Sequence, residues 1–141
     1  MPVRKGTAVW NGGLKEGRGS MSLSSGAFEG AYSFGSRFEE EKGTNPEELI
    51  GAALAGCFSM FLSGLIESAG YDPQSVKSQS KVRIEKDGQG FRITGIELNT
   101  EATIPNIDEK FFMEQAEAAK QNCPVGQALR VPISLSAKLN R

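Results

Sequence analysis

The sequence predicts an α+β domain in which antiparallel β-sheets pack around a long central helix. Three observations carry the prediction. A strongly capped helix, apolar nearly all round, starts after Asn45. Alternating strand patterns flank it on both sides. A second helix, amphipathic and acidic at its start, precedes the last strand.

In chain order, the first elements are short strand-like pieces around "TAVWNG", "GRGSMSLSS" and "AYSFGSRF", punctuated by glycine and serine that favour turns. Asn45 then reads as an N-cap, Pro46 suits the first helical position, and Glu48 completes a capping-box pattern. Glu47 and Glu48 complement the positive end of the helix dipole. Apolar residues from Leu49 to Ile66 wrap almost the whole circumference, so this helix is expected to be buried on several sides. "SAGYDP" ends it, with Gly70 as C-cap and Pro73 beyond. Two long strands follow, "SKVRIEK" and "GFRITGIELNTEATI", joined by the turn "KDGQG". The second shifts phase at Gly95, which predicts a bulge. Asp108 caps the second helix, "EKFFMEQAEAAKQN", and Pro124 interrupts it just after Cys123. "PVGQAL" reads as a short helical turn, and "VPISLSAKL" as the last strand.

The 141 residues fit one domain, 1–141, with no repeat or linker. A formal net charge of -1 points to neither nucleic acid nor an anionic membrane surface. The segment "LIGAALAGCFSMFLSGLI" has the length of a membrane span, but serine and glycine dilute it and glutamates precede it, so a core helix is expected. No apolar run follows the basic residues of "MPVRKGTAVW", so no secretory signal is read. The cytoplasm is the expected compartment, where persistent structural disulfides are uncommon.

The chain has two cysteines, Cys57 and Cys123, and no histidine. Cys–His and Ser–His dyads are excluded, as are histidine-based zinc and haem sites. No metal and no bound cofactor are expected. An apolar helix with one cysteine usually buries an inert thiol. Three features weigh on the other side. Cys123, in "QNCPVG", stands where a new helical turn can begin, and free N–H groups there favour thiolate. Glu47 and Cys57 lie ten positions apart, roughly 15 Å of rise and about 80° of rotation on one helix, so they cannot touch within it. Two copies crossing antiparallel near Ala52 would bring Glu47 of one beside Cys57 of the other. Gly51, Ala52, Ala53, Ala55 and Gly56 are small enough to permit that approach, though they could equally face the chain's own sheet. Finally, Arg37 lies among acids in "SRFEEEKGTNPEE". By composition this is a solvated charged loop; an arginine held by Glu47 and nearer the sulfur would instead favour thiolate.

The segments "RFEEEKGTNPEELIGAALAGCFSM" and "NCPVGQAL" resemble the two cysteine motifs of the osmotically inducible protein C (OsmC) family, bacterial thiol peroxidases related to the organic hydroperoxide resistance (Ohr) proteins. The resemblance extends from "GTAVWNGGLKEGRGSMS" to "ISLSAKL", and "RFEEEKGTNPEEL" favours the OsmC branch. It implies that Cys57 is the peroxidatic cysteine and Cys123 the resolving one. Glu47 would be the site carboxylate and Arg37 the site arginine. It further implies an intertwined homodimer with each site drawn from both chains, organic hydroperoxide as substrate, a Cys57–Cys123 disulfide as intermediate, and an external dithiol, lipoyl-type, as reductant. Leu54, Phe58, Met60 and Phe61 are candidates for an apolar pocket lining, with core packing the expected role for most of them. The alternative is a non-catalytic dimer that holds a lipid-like ligand or engages a partner, with structural cysteines. General disulfide exchange is disfavoured because no C-x-x-C occurs.

Overall fold

The computed structural model describes residues 1–141, which form two compact units, Met1–Leu49 and Ile50–Arg141. The first is a three-stranded antiparallel meander, β1 (Gly6–Asn11), β2 (Arg18–Leu23) and β3 (Glu29–Tyr32), followed by the short helix α1 (Phe34–Phe38). Gly19 on β2 pairs with both Trp10 and Tyr32, whose ring centroids are 5.2 Å apart. A β-carbon at Gly19 would fall 2.6 Å from the Trp10 ring, so only glycine lets the two aromatics close over the strand.

Helix α1 corrects the reading of "AYSFGSRF" as one strand. The strand stops at Tyr32 because Ser33 starts a helix. Its Oγ accepts from Ser36 N–H at 3.1 Å, and Ser36 Oγ accepts in return from Ser33 N–H at 2.8 Å, a reciprocal capping box.

Helix α2 (Pro46–Ser68) starts and stops where its caps predict. Asn45 Oδ1 accepts from Glu48 N–H at 2.7 Å. The Glu48 carboxylate does not return to the Asn45 backbone as a full capping box would have it; it accepts from Thr44 Oγ1 at 2.8 Å. At the far end Gly70 (φ 94°) closes a Schellman motif, with Gly70 N–H on Glu67 O and Tyr71 N–H on Ile66 O.

The second unit sets a sheet, β4 (Ser75–Asp87), β5 (Gly90–Thr103) and β6 (Ile133–Asn140), against α2 and α3 (Glu109–Asn122), with α4 (Pro124–Ala128) following α3. Its core joins Leu54, Phe58, Leu62 and Ile66, a four-residue ridge of α2, to Ile96, Leu98 and Ala102 of β5 and to Phe112, Ala116 and Ala119 of α3. The bulge is present: Ile84 pairs with Ile93 and Arg83 with Gly95, so Thr94 is the extra residue. One pair differs from the antiparallel expectation. β6 lies parallel to β5, because α3 and α4 form a crossover that returns the chain to the same end of the sheet.

By length and composition α2 could cross a membrane. Its ridge facing the sheet is fully buried, whereas Ala52, Ala53, Gly56, Met60 and Gly64 are exposed. Within one chain the helix is therefore buried on one side.

Candidate functional site: a pair of facing thiols

Cys57 occupies the fourth turn of α2 and is partly exposed, whereas Cys123 is 0% exposed. Both are free thiols. Cys123 is at once the C-cap of α3 and the N-cap of α4: its N–H donates to Ala119 O and its carbonyl accepts from Gln127 N–H, each at 3.0 Å. Pro124 makes this possible by ending one helix and fitting the first position of the next. The turn carries Val125 N–H to 3.5 Å from Cys57 Sγ, which brings α4 onto the cysteine of α2.

The two sulfurs have unlike environments. Burial pushes the Cys123 thiol above its ordinary value of 9.0; a backbone hydrogen bond from Gly126 acts against this, and the hydrogen bond and charge of Cys57 add to it. The Gly126 backbone hydrogen bond does act toward thiolate, as a helix start is expected to, but desolvation outweighs it. Cys57 instead opens on a cavity of about 530 Å³ walled by Met60, Phe61, Gly64, Leu65, Ser68 and Pro124. Of the lining candidates, Met60 and Phe61 face it, while Leu54 and Phe58 belong to the core. Gly64, Leu65 and Ser68 were missed. Their spacing from Cys57 (seven, eight and eleven residues) was the signal, since those positions share its helix face.

Arg37 and Glu47 meet in the first unit. Glu47 Oε1 accepts from Arg37 Nε at 2.9 Å and from Nη2 at 2.8 Å. The Glu47 side chain is 7% exposed and that of Arg37 38%. Asn45 Nδ2 donates to Ser36 O at 3.0 Å and Ser36 Oγ to Thr44 O at 2.8 Å, so α1 is tied to the start of α2 and the arginine is delivered to the carboxylate. The guanidinium also lies over the Phe38 ring, 5.0 Å from its centroid, beside a small cavity walled by Trp10, Tyr32 and Phe34. No group of three or more His, Cys, Asp or Glu residues is placed to hold a metal ion. The four predicted residues therefore form two pairs, Cys57 with Cys123 and Arg37 with Glu47, one in each unit.

An accessible thiol facing a buried one, on a helix backed by a sheet, defines a dithiol site. The model of the OsmC-like protein family matches residues 39–138, which take in both cysteines and Glu47 but not β1 to β3 or α1 with its Arg37. The chain is 46% identical over 137 residues to the peroxiredoxin OsmC of Escherichia coli (strain K12), covering 96% of each protein. It is 32% identical over 105 residues to the organic hydroperoxide resistance protein OhrB of Bacillus subtilis (strain 168), covering 72% of this chain and 73% of that one. The solved OsmC-like protein from Mycoplasma pneumoniae shares the fold with a TM-score of 0.77 at 16% identity, over 99% of both chains. The chain belongs to the OsmC-like family.

Proposed function

We propose that this chain is a thiol-dependent peroxidase that reduces organic hydroperoxides to alcohols. The observation that carries the reading is the asymmetry of the thiols: Cys57 opens on an apolar cavity, and the buried Cys123 adjoins its sulfur. The names of the relatives, peroxiredoxin and organic hydroperoxide resistance protein, support the same reaction class.

In this mechanism the Cys57 thiolate attacks the terminal peroxide oxygen, the O–O bond breaks, and the alkoxide takes a proton and leaves as alcohol. Cys57 becomes a sulfenic acid. Cys123 then attacks the Cys57 sulfur; the hydroxyl leaves as water with the Cys123 proton, and a disulfide remains. An external dithiol, lipoyl-type by the family resemblance, reduces it by exchange. Val125 N–H, already directed at Cys57 Sγ, is a donor suited to an anionic sulfur.

Arg37, held by Glu47, is assigned to polarise the peroxide and offset the thiolate charge. Ten helical positions separate Glu47 from Cys57, so in this proposal the Arg37–Glu47 pair serves the thiol of a partner protomer across a two-fold axis. The exposed small residues Ala52, Ala53 and Gly56 fit that crossing. Each protomer then works as one domain, 1–141, in the reducing cytoplasm. The test is steady-state turnover of an alkyl hydroperoxide with a dithiol: Cys57→Ser abolishes it, and turnover that survives this substitution overturns the reading.

A further inference from the structure

Helix α4 is five residues long, and two consecutive amides of it serve the two sulfurs: Val125 N–H reaches Cys57 Sγ at 3.5 Å, and the Gly126 backbone hydrogen-bonds to Cys123 Sγ. Gly126 does not have a positive φ, so nothing in its backbone conformation calls for glycine, which is a poor helix residue. The surroundings do call for it. A β-carbon at Gly126 would stand 3.1 Å from Cys123 Sγ, 3.1 Å from the carbonyl oxygen of Lys120 and 3.7 Å from Leu54 Cδ1. The Leu54 distance is ordinary van der Waals contact, whereas Lys120 O is fixed in the last turn of α3 and yields less easily. A methyl group there needs a few tenths of an ångström from Lys120 O and Cys123 Sγ, and a shift of α4 by that amount carries Val125 N–H with it.

We propose that Gly126 is a positioning residue for the resolving step: its missing side chain lets the first turn of α4 close on Cys123 Sγ while the neighbouring amide holds Cys57 Sγ, keeping the two sulfurs in register for bond formation. The proposal rests on the peroxidase reading for its place in a catalytic cycle, but its chemistry needs only an oxidant of Cys57. With a hydroperoxide, Cys57 gains one oxygen and Cys123 displaces it as water. With diamide, the Cys57 thiolate adds across the N=N bond and Cys123 displaces the hydrazine. The same S–S bond closes in both.

The experiment is single-turnover oxidation of the reduced full chain, wild type against Gly126→Ala, with cumene hydroperoxide in one arm and diamide in the other, following the Cys57 adduct and the disulfide by mass spectrometry. In the variant the disulfide step slows about tenfold or worse, more than the first step does, and dimedone traps a larger share of Cys57 as sulfenic acid. A merely destabilised fold does not shift that partition. Gln127→Ala, one exposed position on, leaves both steps unchanged. Equal disulfide rates in wild type and Gly126→Ala overturn the proposal. A wild type inert to the peroxide but slowed by Gly126→Ala in the diamide arm overturns the peroxidase reading and leaves the positioning role standing. Amide hydrogen exchange of the reduced wild type decides the matter even where the variant fails to fold: protection at Val125 and Gly126 is expected, and free-chain exchange at both overturns the proposal.

Discussion

Arg37 meets Glu47 through two different nitrogens, Nε and Nη2, both within 2.9 Å of one carboxylate oxygen. A fork of this kind fixes the plane of the guanidinium as well as its distance. Lysine cannot reproduce it. Arg37→Lys is therefore expected to lower kcat/KM for an alkyl hydroperoxide by about tenfold to a hundredfold while leaving the fold intact. Arg37→Ala adds a stability cost, because it leaves the nearly buried Glu47 carboxylate without its partner. With Arg37 itself about a third exposed, a loss of about 1–2 kcal/mol is expected by urea titration. A wild-type rate for Arg37→Lys would remove Arg37 from the mechanism.

The arginine is only as well placed as the five-residue helix that carries it. Ser33→Ala deletes half of the capping box of α1 and should cost about 1 kcal/mol. The effect on the peroxide step is expected to exceed that on the Cys57–Cys123 disulfide step, since Ser33 holds up Arg37 and neither sulfur. Stopped-flow measurement of the two phases separates them, and equal slowing of both phases is the contrary result.

A raised thiol value at Cys123 has a definite pH signature. Below 9.0 the thiol is protonated in folded and unfolded chains alike, and its contribution to stability is complete. As pH rises past 9.0 the unfolded chain releases the proton first, so stability falls until the folded thiol ionises too. Melting temperatures of wild type are thus expected to decline more steeply than those of Cys123→Ala as pH rises above 9.0. The disulfide step, which needs the Cys123 thiolate, is expected to keep accelerating over the same range. Parallel declines in the two proteins would contradict the burial of this thiol.

The shared-site proposal makes an arithmetic prediction. Cys57→Ser and Glu47→Ala are each expected to lose most activity alone. Unfolded together in equal amounts and refolded, half of the dimers are mixed and each carries one intact site, so about a quarter of wild-type turnover returns. No recovery in a sample shown by sedimentation to contain dimers would put Glu47 and Cys57 of the site on one chain, or Glu47 outside it.

Several of these features were readable before the structure because they are local. Asn45 and Pro46 mark the start of α2, Gly70 its end, Asp108 the start of α3, and each acts within four residues of chain. Helix α1 escaped because its reciprocal cap uses Ser36 in place of a glutamate, and five residues are too few for a periodicity. The parallel pairing of β6 escaped because strand order is settled by non-local packing. At the site, the rule that apolar residues line apolar cavities selected Leu54 and Phe58, which the core had already claimed. The cavity wall instead uses Gly64 and Ser68, whose small size leaves the space. Charge alone read the segment around Arg37 as a solvated loop, and its role beside Glu47 came from the family resemblance; the hydroxyl and amide ties from Ser36 and Asn45 that enforce the contact carry no pattern in the sequence.

Cys123 closes one helix and opens the next with hydrogen bonds on both sides of its own peptide unit. A residue pinned in this way can turn its side chain without paying out any main chain. Oxidation and reduction at its sulfur therefore ask for no helix to unravel, and circular dichroism in the far ultraviolet should scarcely distinguish the two forms. In the proposed cycle, a reductant would then tell the spent protein from the fresh one by the S–S bond itself.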